Sequence, residues 1–171
     1  IVAVGRLSEP KDYPNLLNAL ARVGNGISDW HLAVAGGGPL RNNLASLTQK
    51  LGLGDRVSFL GVRNDIPDLL SAADLFVLSS AWEGFPMVVG EAMACECLVV
   101  ATDCGGVREF LGDSEFLVEA NNFEALAAAI SGALQLTDDQ RAAYGRSARE
   151  RIQELYSLDA TVDKWLAIYK G

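Results

Sequence analysis

Six short, largely apolar runs recur along the chain and predict β-strands. The first run, Ile1–Gly5, is apolar at every position before its glycine. An uninterrupted apolar run of this length is typical of a strand that is buried on both faces. The same reasoning predicts strands at His31–Ala35, Arg56–Leu60, Asp74–Ser79, Leu98–Thr102 and Glu115–Glu119.

Apolar residues at helical spacing follow most of these runs. After Pro14, the stripe Leu16, Leu17, Leu20 and Val23 would face a core. This periodicity, read together with proline and glycine as start and stop signals, predicts the remaining elements. Helices are expected from near Pro14, from Pro39 to Gly52, and at Ile66–Ala72, Pro86–Cys95, Val107–Leu111, Asn122–Gln135, Asp138–Leu155 and Leu158–Tyr169.

The alternation of strands and helices through short connections sets the fold class. It predicts an α/β fold with a doubly wound, Rossmann-like parallel sheet that carries helices on both faces. Residues 1–171 are expected to form one domain, since no internal repeat or linker divides them. Ligands of such sheets bind beyond the carboxyl ends of the strands. The glycine-rich and charged loops all follow predicted strands, so they should border a single cleft.

Composition narrows the ligand class. The net charge of −8 argues against general nucleic-acid binding, because clustered Lys and Arg supply most of that affinity. A small anionic ligand needs only two or three local cations and remains compatible. Cys95, Cys97, Cys104 and His31 make a poor metal-ligand set, so no metal is expected. With little sign of a disulfide framework, a cytoplasmic location is expected.

The segment from Glu83 to Val88 joins a predicted buried strand to a helix. If Pro86 is the first helical residue, the free amides of Gly84, Phe85, Met87 and Val88 would point into the cleft. A helix N-terminus binds anions through such donors and its partial positive charge. Glu83 would lie beside these amides, where it could also be only a favourable contact with the helix dipole.

Glu91 lies in the second turn of that helix among apolar neighbours, so we expect a mostly buried carboxylate. A buried carboxylate needs hydrogen-bond partners, and a vicinal diol such as a ribose 2′,3′ pair would satisfy both oxygens. A capped loop or an arginine partner would satisfy them equally well. In the first loop, Arg6 and Lys11 lie on the same side of the sheet as Glu83. Arg offers a fork that fits phosphate, and Lys offers a compact charge.

Several segments together resemble a known family in order and spacing. They are similar to the C-terminal domain of GT-B glycosyltransferases, specifically the large retaining family numbered four, also called group 1. The family's Glu-x7-Glu motif corresponds to Glu83 and Glu91, with Gly84-Phe85-Pro86 after the first Glu. The segments are GRLSEPKDYPNLLNAL, VAGGGPL, VSFLGVRNDIPDLLSAADLFVLSSAWEGFPMVVGEAMAC and VVATDCGGVREFL.

The resemblance implies a role for each candidate residue in holding a nucleotide diphosphate sugar. Catalytic roles fall to three residues: Arg6 and Lys11 as cations for the leaving diphosphate, and Glu83 as the carboxylate that faces the transferred sugar. Glu91 would hold the ribose hydroxyls. The other donor-binding positions implied are Gly5, Gly37, Val62, Arg63, Gly84, Phe85, Pro86, Met87 and Val88, with Val62 and Arg63 against the base.

Two positions depart from the family pattern. The family usually has Gly and Pro shortly after the Ala-Cys of the motif helix, where this chain continues Cys95-Glu96-Cys97-Leu98. Asp12 stands where many relatives carry Gly after the lysine. Neither change touches a proposed ligand contact.

The resemblance also implies a longer enzyme. This chain begins abruptly at Ile1 without an initiator Met, which suggests a fragment that lacks the N-terminal acceptor domain. The full enzyme would transfer a hexosyl group with retention, without cofactor or metal, and the isolated domain would be inactive. Any peripheral membrane association would run through the missing domain. One side of the last helix is an apolar stripe that would pack against that domain, cover this domain's own core, or do both. Its residues are Leu158, Val162, Trp165, Leu166 and Tyr169.

Other functions stay open at this point. A sugar-nucleotide epimerase-like domain shares the architecture, although its motif pattern differs. A non-catalytic nucleotide-binding module is another alternative. The presence of all four candidate residues weighs against it, because a module without catalysis would not need to keep Arg6, Lys11, Glu83 and Glu91. A dehydrogenase is disfavoured because no Gly-x-Gly-x-x-Gly follows the first strand.

Overall fold

The structure, a computed structural model, describes residues 1–23, 26–27 and 29–170. Six strands form one parallel sheet in the order β3-β2-β1-β4-β5-β6. This order is that of a doubly wound sheet whose direction of growth reverses between β1 and β4. The strands are β1 Val2–Val4, β2 Leu32–Ala35, β3 Val57–Gly61, β4 Leu75–Leu78, β5 Leu98–Asp103 and β6 Leu117–Glu119.

Helices cover both faces of the sheet, as the alternating pattern predicts. They are α1 Tyr13–Val23, α2 Arg41–Lys50, α3 Ile66–Ser71, α4 Met87–Ala94, α5 Val107–Leu111, α6 Phe123–Gln135, α7 Asp138–Tyr156 and α8 Leu158–Lys170. α1, α2 and α6 share an apolar cluster with Leu75 and Val77 of β4. α3, α4 and α5 share a second cluster with Phe76 and Leu78 on the opposite face, where α7 also packs through Ile152. β4 is therefore buried on both faces, which explains its unbroken apolar run.

Several element boundaries differ from the sequence-based expectation. His31 is exposed and precedes β2, where its Nε2 lies 2.9 Å from Ser58 Oγ. Pro39 precedes α2, which begins at Arg41, and β6 begins only at Leu117. Two short 3-10 helices, Glu9–Lys11 and Gly54–Arg56, were not predicted. Three residues are too few to show a periodicity.

Both departures from the family pattern include a residue with a left-handed backbone conformation. Asp12 has φ 42° and Glu96 has φ 58°, which is the left-handed region that glycine adopts without strain. Asp tolerates this region better than most residues, and the Asp12 carboxylate accepts the Asn15 amide at 3.3 Å. Glu96 lies in the turn between α4 and β5. Gly145 of α7 packs directly against this turn, with no room for a Cβ beside the Glu96 carbonyl oxygen.

α8 has an apolar face that does not pack on the core. It contacts α7, and its large apolar side chains are exposed. The alternative that this stripe covers the domain's own core is therefore wrong. The exposed residues are Leu158, Val162, Trp165, Leu166, Ile168 and Tyr169. In the part of the chain that the structure describes, no helix is both long and apolar enough to cross a bilayer.

The packing of α7 depends on a glycine. A Cβ added to Gly145 would lie 2.1 Å from the Glu96 carbonyl oxygen, whereas one added to Gly132 of α6 would meet its nearest atom only at 4.0 Å. Both glycines are inside helices, where alanine is intrinsically better by roughly 0.5–1 kcal/mol. We expect Gly132→Ala to raise the free energy of unfolding by about that amount. Gly145→Ala should lower it by roughly 1–3 kcal/mol, because α7 must shift.

Urea unfolding of the two variants and the wild type provides the comparison. Since both substitutions are the same change in the same secondary structure, helix propensity cancels between them. A Gly145→Ala variant as stable as Gly132→Ala would contradict the close approach of α7 to Glu96.

Candidate functional site

The sheet order places five loops side by side at the carboxyl edge. They follow β3, β2, β1, β4 and β5, and their backbones are hydrogen-bonded to one another. Gly36 N–H donates to the Gly61 carbonyl at 2.7 Å, and Leu7 N–H donates to the Gly37 carbonyl at 2.9 Å. Gly106 N–H donates to the Gly84 carbonyl at 2.8 Å. The loops that were predicted to border a single cleft therefore form one continuous edge, which follows five of the six strands.

Two glycines allow these loops to approach each other. A Cβ on Gly36 would lie 1.9 Å from the Gly5 carbonyl oxygen, and one on Gly105 would lie 2.0 Å from that of Glu83. Both positions have positive φ, 150° and 53°. Turn-making alone therefore does not account for them. They are required because another backbone lies where a side chain would be.

An ion pair lies at the centre of this edge. Lys11 Nζ is 2.5 Å from Glu83 Oε1, and the side chains are only 22% and 12% exposed. Ser80 Oγ donates to the same oxygen at 2.6 Å. The Lys11 side chain also packs against Gly5. A Cβ added to Gly5 would lie only 3.2 Å from Lys11 Cε. The sequence predicts that these loops meet, but not that the cation and the carboxylate pair with each other.

Three buried hydroxyls hold this pair in place, and the sequence analysis missed them. Thr102 Oγ1 donates to the Ser80 carbonyl at 2.6 Å, and Ser79 Oγ donates to the Lys11 carbonyl at 3.0 Å. Ser80 and Thr102 have no exposed surface. The available signal was a polar residue at the carboxyl end of an otherwise apolar strand, since buried hydroxyls need partners.

The segment Ser79–Pro86, which we call the donor loop after the role that the family resemblance implies for it, leads into α4. Pro86 is buried and caps α4 rather than starting it, so the first helical residue is Met87. Val89 N–H donates to the Pro86 carbonyl, whereas within the described residues the amides of Met87 and Val88 donate to no protein acceptor. These are the orphan donors of a helix start, and they lie next to exposed Gly84. The free amides predicted at this helix start are thus present at Met87 and Val88, and anion binding by them stays a prediction.

Glu91 differs from expectation, because it is exposed rather than mostly buried. α4 buries Val89, Gly90, Ala92 and Met93, which leaves position 91 on the solvent side with Met87. Its carboxylate is therefore hydrated, and the argument that burial demands a diol partner is wrong. The ribose role stays a prediction that rests on the family resemblance.

Arg6 and the base loop flank this centre. Arg6 is exposed and, among the carboxylates of the described ranges, has none within salt-bridge distance. Val62 is 81% exposed and lies against Gly37. Arg63 Nε donates to Asp65 Oδ1 at 2.8 Å, and this hydrogen bond lowers the pKa of Asp65. Arg63 is thus already paired at the position where the family places the base.

A cavity of about 440 Å³ lies elsewhere, at the opposite edge of the sheet between α7 and the α5–β6 connection. Its lining includes Leu98 and Phe116, at the amino ends of β5 and β6, and the guanidinium of Arg151. That guanidinium already donates to the Phe110 carbonyl at 2.6 Å. Volume alone does not make this cavity the site, because the paired cation, the glycine loops and the helix start all lie at the carboxyl edge. Within residues 1–23, 26–27 and 29–170, no three His, Cys, Asp or Glu side chains are grouped as a metal ion requires.

A doubly wound sheet with cations, glycine loops and a helix start at its carboxyl edge is typical of α/β proteins that bind phosphate-containing ligands. Within that class, the family model described as glycosyl transferases group 1 matches residues 1–151. The chain belongs to this family. The predicted family and the predicted GT-B-like fold are both confirmed.

Two bacterial enzymes are among the proteins to which the chain is similar. It is 36% identical over 154 residues to N-acetylgalactosamine-N,N'-diacetylbacillosaminyl-diphospho-undecaprenol 4-alpha-N-acetylgalactosaminyltransferase of Campylobacter jejuni, covering 88% of this chain and 41% of the relative. It is 33% identical over 175 residues to UDP-Gal:alpha-D-GlcNAc-diphosphoundecaprenol alpha-1,3-galactosyltransferase of Escherichia coli, covering 97% and 44%. The chain spans less than half the length of these relatives.

Solved structures show the same fold. HepE of Anabaena in complex with UDP superposes with a TM-score of 0.86 at 29% identity, covering 98% of this chain and 47% of HepE. The C-terminal domain of a group 1 glycosyl transferase, LpcC of Francisella tularensis, superposes with a TM-score of 0.80 at 23% identity. That match covers 92% of this chain and 86% of the LpcC domain, so the two share a fold over nearly their full lengths.

The pKa of the Tyr13 hydroxyl depends on burial and on the negative charge of Glu83 at this edge. This hydroxyl donates to the Gly5 carbonyl at 3.2 Å, and burial, followed by the negative charge of Glu83, raises its pKa. A folded pKa above the unfolded value of about 10 stabilises the fold below pH 10, and this contribution is lost as the pH rises further.

We expect Tyr13→Phe to lower the free energy of unfolding by about 1 kcal/mol at pH 8, because a hydrogen bond is lost. This difference should vanish and slightly reverse at pH 11, where the wild type loses about 1.4 kcal/mol because only it must keep a buried tyrosine protonated. Urea unfolding between pH 8 and 11 measures it, with exposed Tyr169→Phe as control. A difference that is constant with pH would contradict the buried, anion-facing hydroxyl.

Proposed function

We propose that this chain is the donor-binding domain of a glycosyltransferase that transfers a hexosyl group from a UDP-sugar to an acceptor with retention. The observation that carries this proposal is the partly buried Lys11–Glu83 pair beside the free amides of α4. Support for the donor class comes from HepE, which has been crystallised with UDP-glucose. That structure superposes on this chain with a TM-score of 0.85 at 29% identity.

The diphosphate would bind where the positive charges converge. Arg6 is exposed at the end of the β1 strand, and the orphan amides of Met87 and Val88 give α4 a partial positive end. Lys11 neutralises Glu83 in the absence of ligand. When the bond from the anomeric carbon to the diphosphate breaks, negative charge develops on the leaving phosphate. Arg6, Lys11 and the amides stabilise that charge without needing a metal.

Glu83 would position the sugar rather than attack it. Its Oε1 already accepts bonds from both Lys11 and Ser80, so the carboxylate is fixed and partly neutralised. Such a group is a poor nucleophile, but it can accept hydrogen bonds from sugar hydroxyls and stabilise positive charge at the anomeric carbon. We therefore propose a front-face, ion-pair-like displacement, in which the departing phosphate and the acceptor share one side of the sugar.

The nucleoside would extend from this centre along the loops. Exposed Val62, next to Gly37, offers an apolar surface for the base, and Glu91 on the solvent side of α4 would accept the ribose hydroxyls. A solvated carboxylate adds less affinity than a buried one, since water competes for its oxygens. We therefore assign Glu91 a smaller share of the affinity than Arg6.

Isothermal titration calorimetry with UDP tests these assignments. Arg6→Ala should weaken binding by roughly 10- to 100-fold, as expected for loss of a charge-assisted hydrogen bond worth about 1.5–3 kcal/mol. Glu91→Gln should weaken it by less than tenfold. Arg146→Ala and Glu124→Gln carry the same charge changes at exposed positions of α7 and α6, and should leave the affinity unchanged.

The result for each variant decides one role. UDP affinity that survives Arg6→Ala would remove Arg6 from the phosphate site. Affinity equally reduced by Arg146→Ala would indicate a non-specific charge effect. No binding of UDP by the wild-type chain, with GDP or ADP bound instead, would reject the uridine donor but keep the diphosphate site.

We also propose that the exposed apolar face of α8 packs on the acceptor domain of the full-length enzyme. Transfer would then need both domains, and the chain alone would bind donor without transferring it.

A triple substitution of Val162, Trp165 and Leu166 by Ser tests this packing. The three side chains are 44–56% exposed, so the urea midpoint of this chain should change little. In the full-length enzyme, the same substitution should lower the midpoint and the transferase activity. Equal effects in the chain and the full-length enzyme would contradict an interdomain role for α8.

A further inference from the structure

We infer that Tyr156, at the far end of α7, is a positioning residue for the donor loop and acts through the ring of Phe110 on that of Phe85. The consequence for nucleotide affinity rests on the proposed function, whereas the consequence for the loop's conformation does not. Three rings carry the inference. The centroids of Phe85 and Phe110 are 4.5 Å apart, those of Phe110 and Tyr156 are 5.0 Å apart, and those of Phe85 and Tyr156 are 6.2 Å apart.

The second half of the donor loop is held mainly by the β5–α5 segment. The Gly84 carbonyl accepts the Gly106 amide at 2.8 Å, and a Cβ on Gly106 would lie 2.5 Å from the Phe85 ring. Phe85 itself is 44% exposed, and its buried side rests on Phe110 of α5. The place where Gly84 and Phe85 present their amides is therefore set by the position of α5.

α5 cannot set that position alone. It has five residues, Val107–Leu111, and a helix of one turn has almost no intrinsic stability. Its last carbonyls need donors from elsewhere. α7 supplies them: Tyr156 Oη donates to the Glu109 carbonyl at 2.9 Å, and Arg151 donates to the carbonyls of Phe110 at 2.6 Å and Glu109 at 3.1 Å.

Tyr156 combines both kinds of contact, because its hydroxyl holds the end of α5 and its ring packs on Phe110. It is also the last residue of α7. Ser157 follows with an extended backbone, ψ 160°, and α8 begins at the next residue. Lys164 of α8 places its Nζ 5.6 Å from the centre of the Tyr156 ring and donates to the Leu155 carbonyl at 2.7 Å. The ring that supports the donor loop thus lies at the junction with α8.

The alternative is that the three rings only add stability. In that case replacing Tyr156 would lower the free energy of unfolding without moving the donor loop of the folded protein. Tyr144 offers a matched control on the same helix. Its ring packs edge-on against Phe116 at 5.4 Å and its hydroxyl bonds to Glu115, far from the donor loop along α7.

Backbone amide NMR spectra without nucleotide test the inference directly. We expect Tyr156→Leu to shift the amide resonances of Gly84, Phe85 and Met87, and Tyr144→Leu to leave them unchanged while it lowers the urea midpoint. Tyr156→Phe keeps the ring and should restore the Gly84 and Phe85 resonances, with a change confined to the end of α5. Tyr156→Met has a longer and more adaptable side chain than the leucine variant and serves the same comparison where that variant does not fold.

Titration with UDP extends the test to affinity. Tyr156→Leu should weaken binding by roughly 2- to 30-fold, the range for residues that act at a distance, and Tyr156→Phe should stay within about twofold of the wild type. Unchanged amide resonances at Gly84 and Phe85 in Tyr156→Leu would overturn the inference, as would equal shifts in Tyr144→Leu. If the wild type does not bind UDP, the proposed donor fails, while the comparison of free spectra still decides the role of Tyr156.

Discussion

The contact between Lys11 and Glu83 is the interaction on which the site depends. It joins the loop after β1 to the loop after β4, the two neighbouring strands between which the sheet changes its direction of growth. At that point the two loops lead away from each other, and a crevice opens between them. An ion pair that is mostly shielded from water needs further hydrogen bonds to be stable there, and Ser80 provides one.

The rest of the edge is organised around this contact. Two hydroxyls fix the backbone on either side of the pair. Ser79, after β4, donates to the Lys11 carbonyl, and Thr102, in β5, donates to the Ser80 carbonyl. Glycines at positions 36 and 105 let the neighbouring loops close up on either side. Arg6 and the amide end of α4 are then positively polarised groups of the edge that are not matched by a described carboxylate. A diphosphate fits this imbalance better than a neutral or cationic ligand does.

The described support for the donor loop extends well beyond the edge itself. Phe85 rests on α5, α5 is held by α7, and α7 ends where α8 begins. α8 and the donor loop thus both contact the ring of Tyr156, α8 through Lys164 and the donor loop through Phe85. A partner packed on α8 would act on the donor loop through contacts that are already formed in this chain.

Sequence reasoning reached the fold because unbroken apolar runs such as Leu75–Leu78, bounded by turns and alternating with helical patterns, are typical of strands buried on both faces. It placed Lys11 and Glu83 at one edge because strand ends in a parallel sheet share an edge. It was wrong about the burial of Glu91. Apart from Glu91, the residues of α4 are all apolar or glycine, so the sequence pattern does not show which side of the helix faces solvent. It missed Tyr156, because the contact with Phe110 joins residues far apart in the chain and has no local pattern. The pairing of Lys11 with Glu83 depends on side-chain rotamers, which no spacing encodes.

The most direct test of the account is an NMR titration of this chain with UDP-glucose, followed at the backbone amides. If the donor binds at the carboxyl edge of the sheet, saturable shifts should be concentrated in residues 5–11, 36–38, 61–63, 79–91 and 105–106. Shifts concentrated instead around Leu98, Phe116 and Arg151, in the cavity at the opposite edge, would contradict it, as would the absence of any saturable shift.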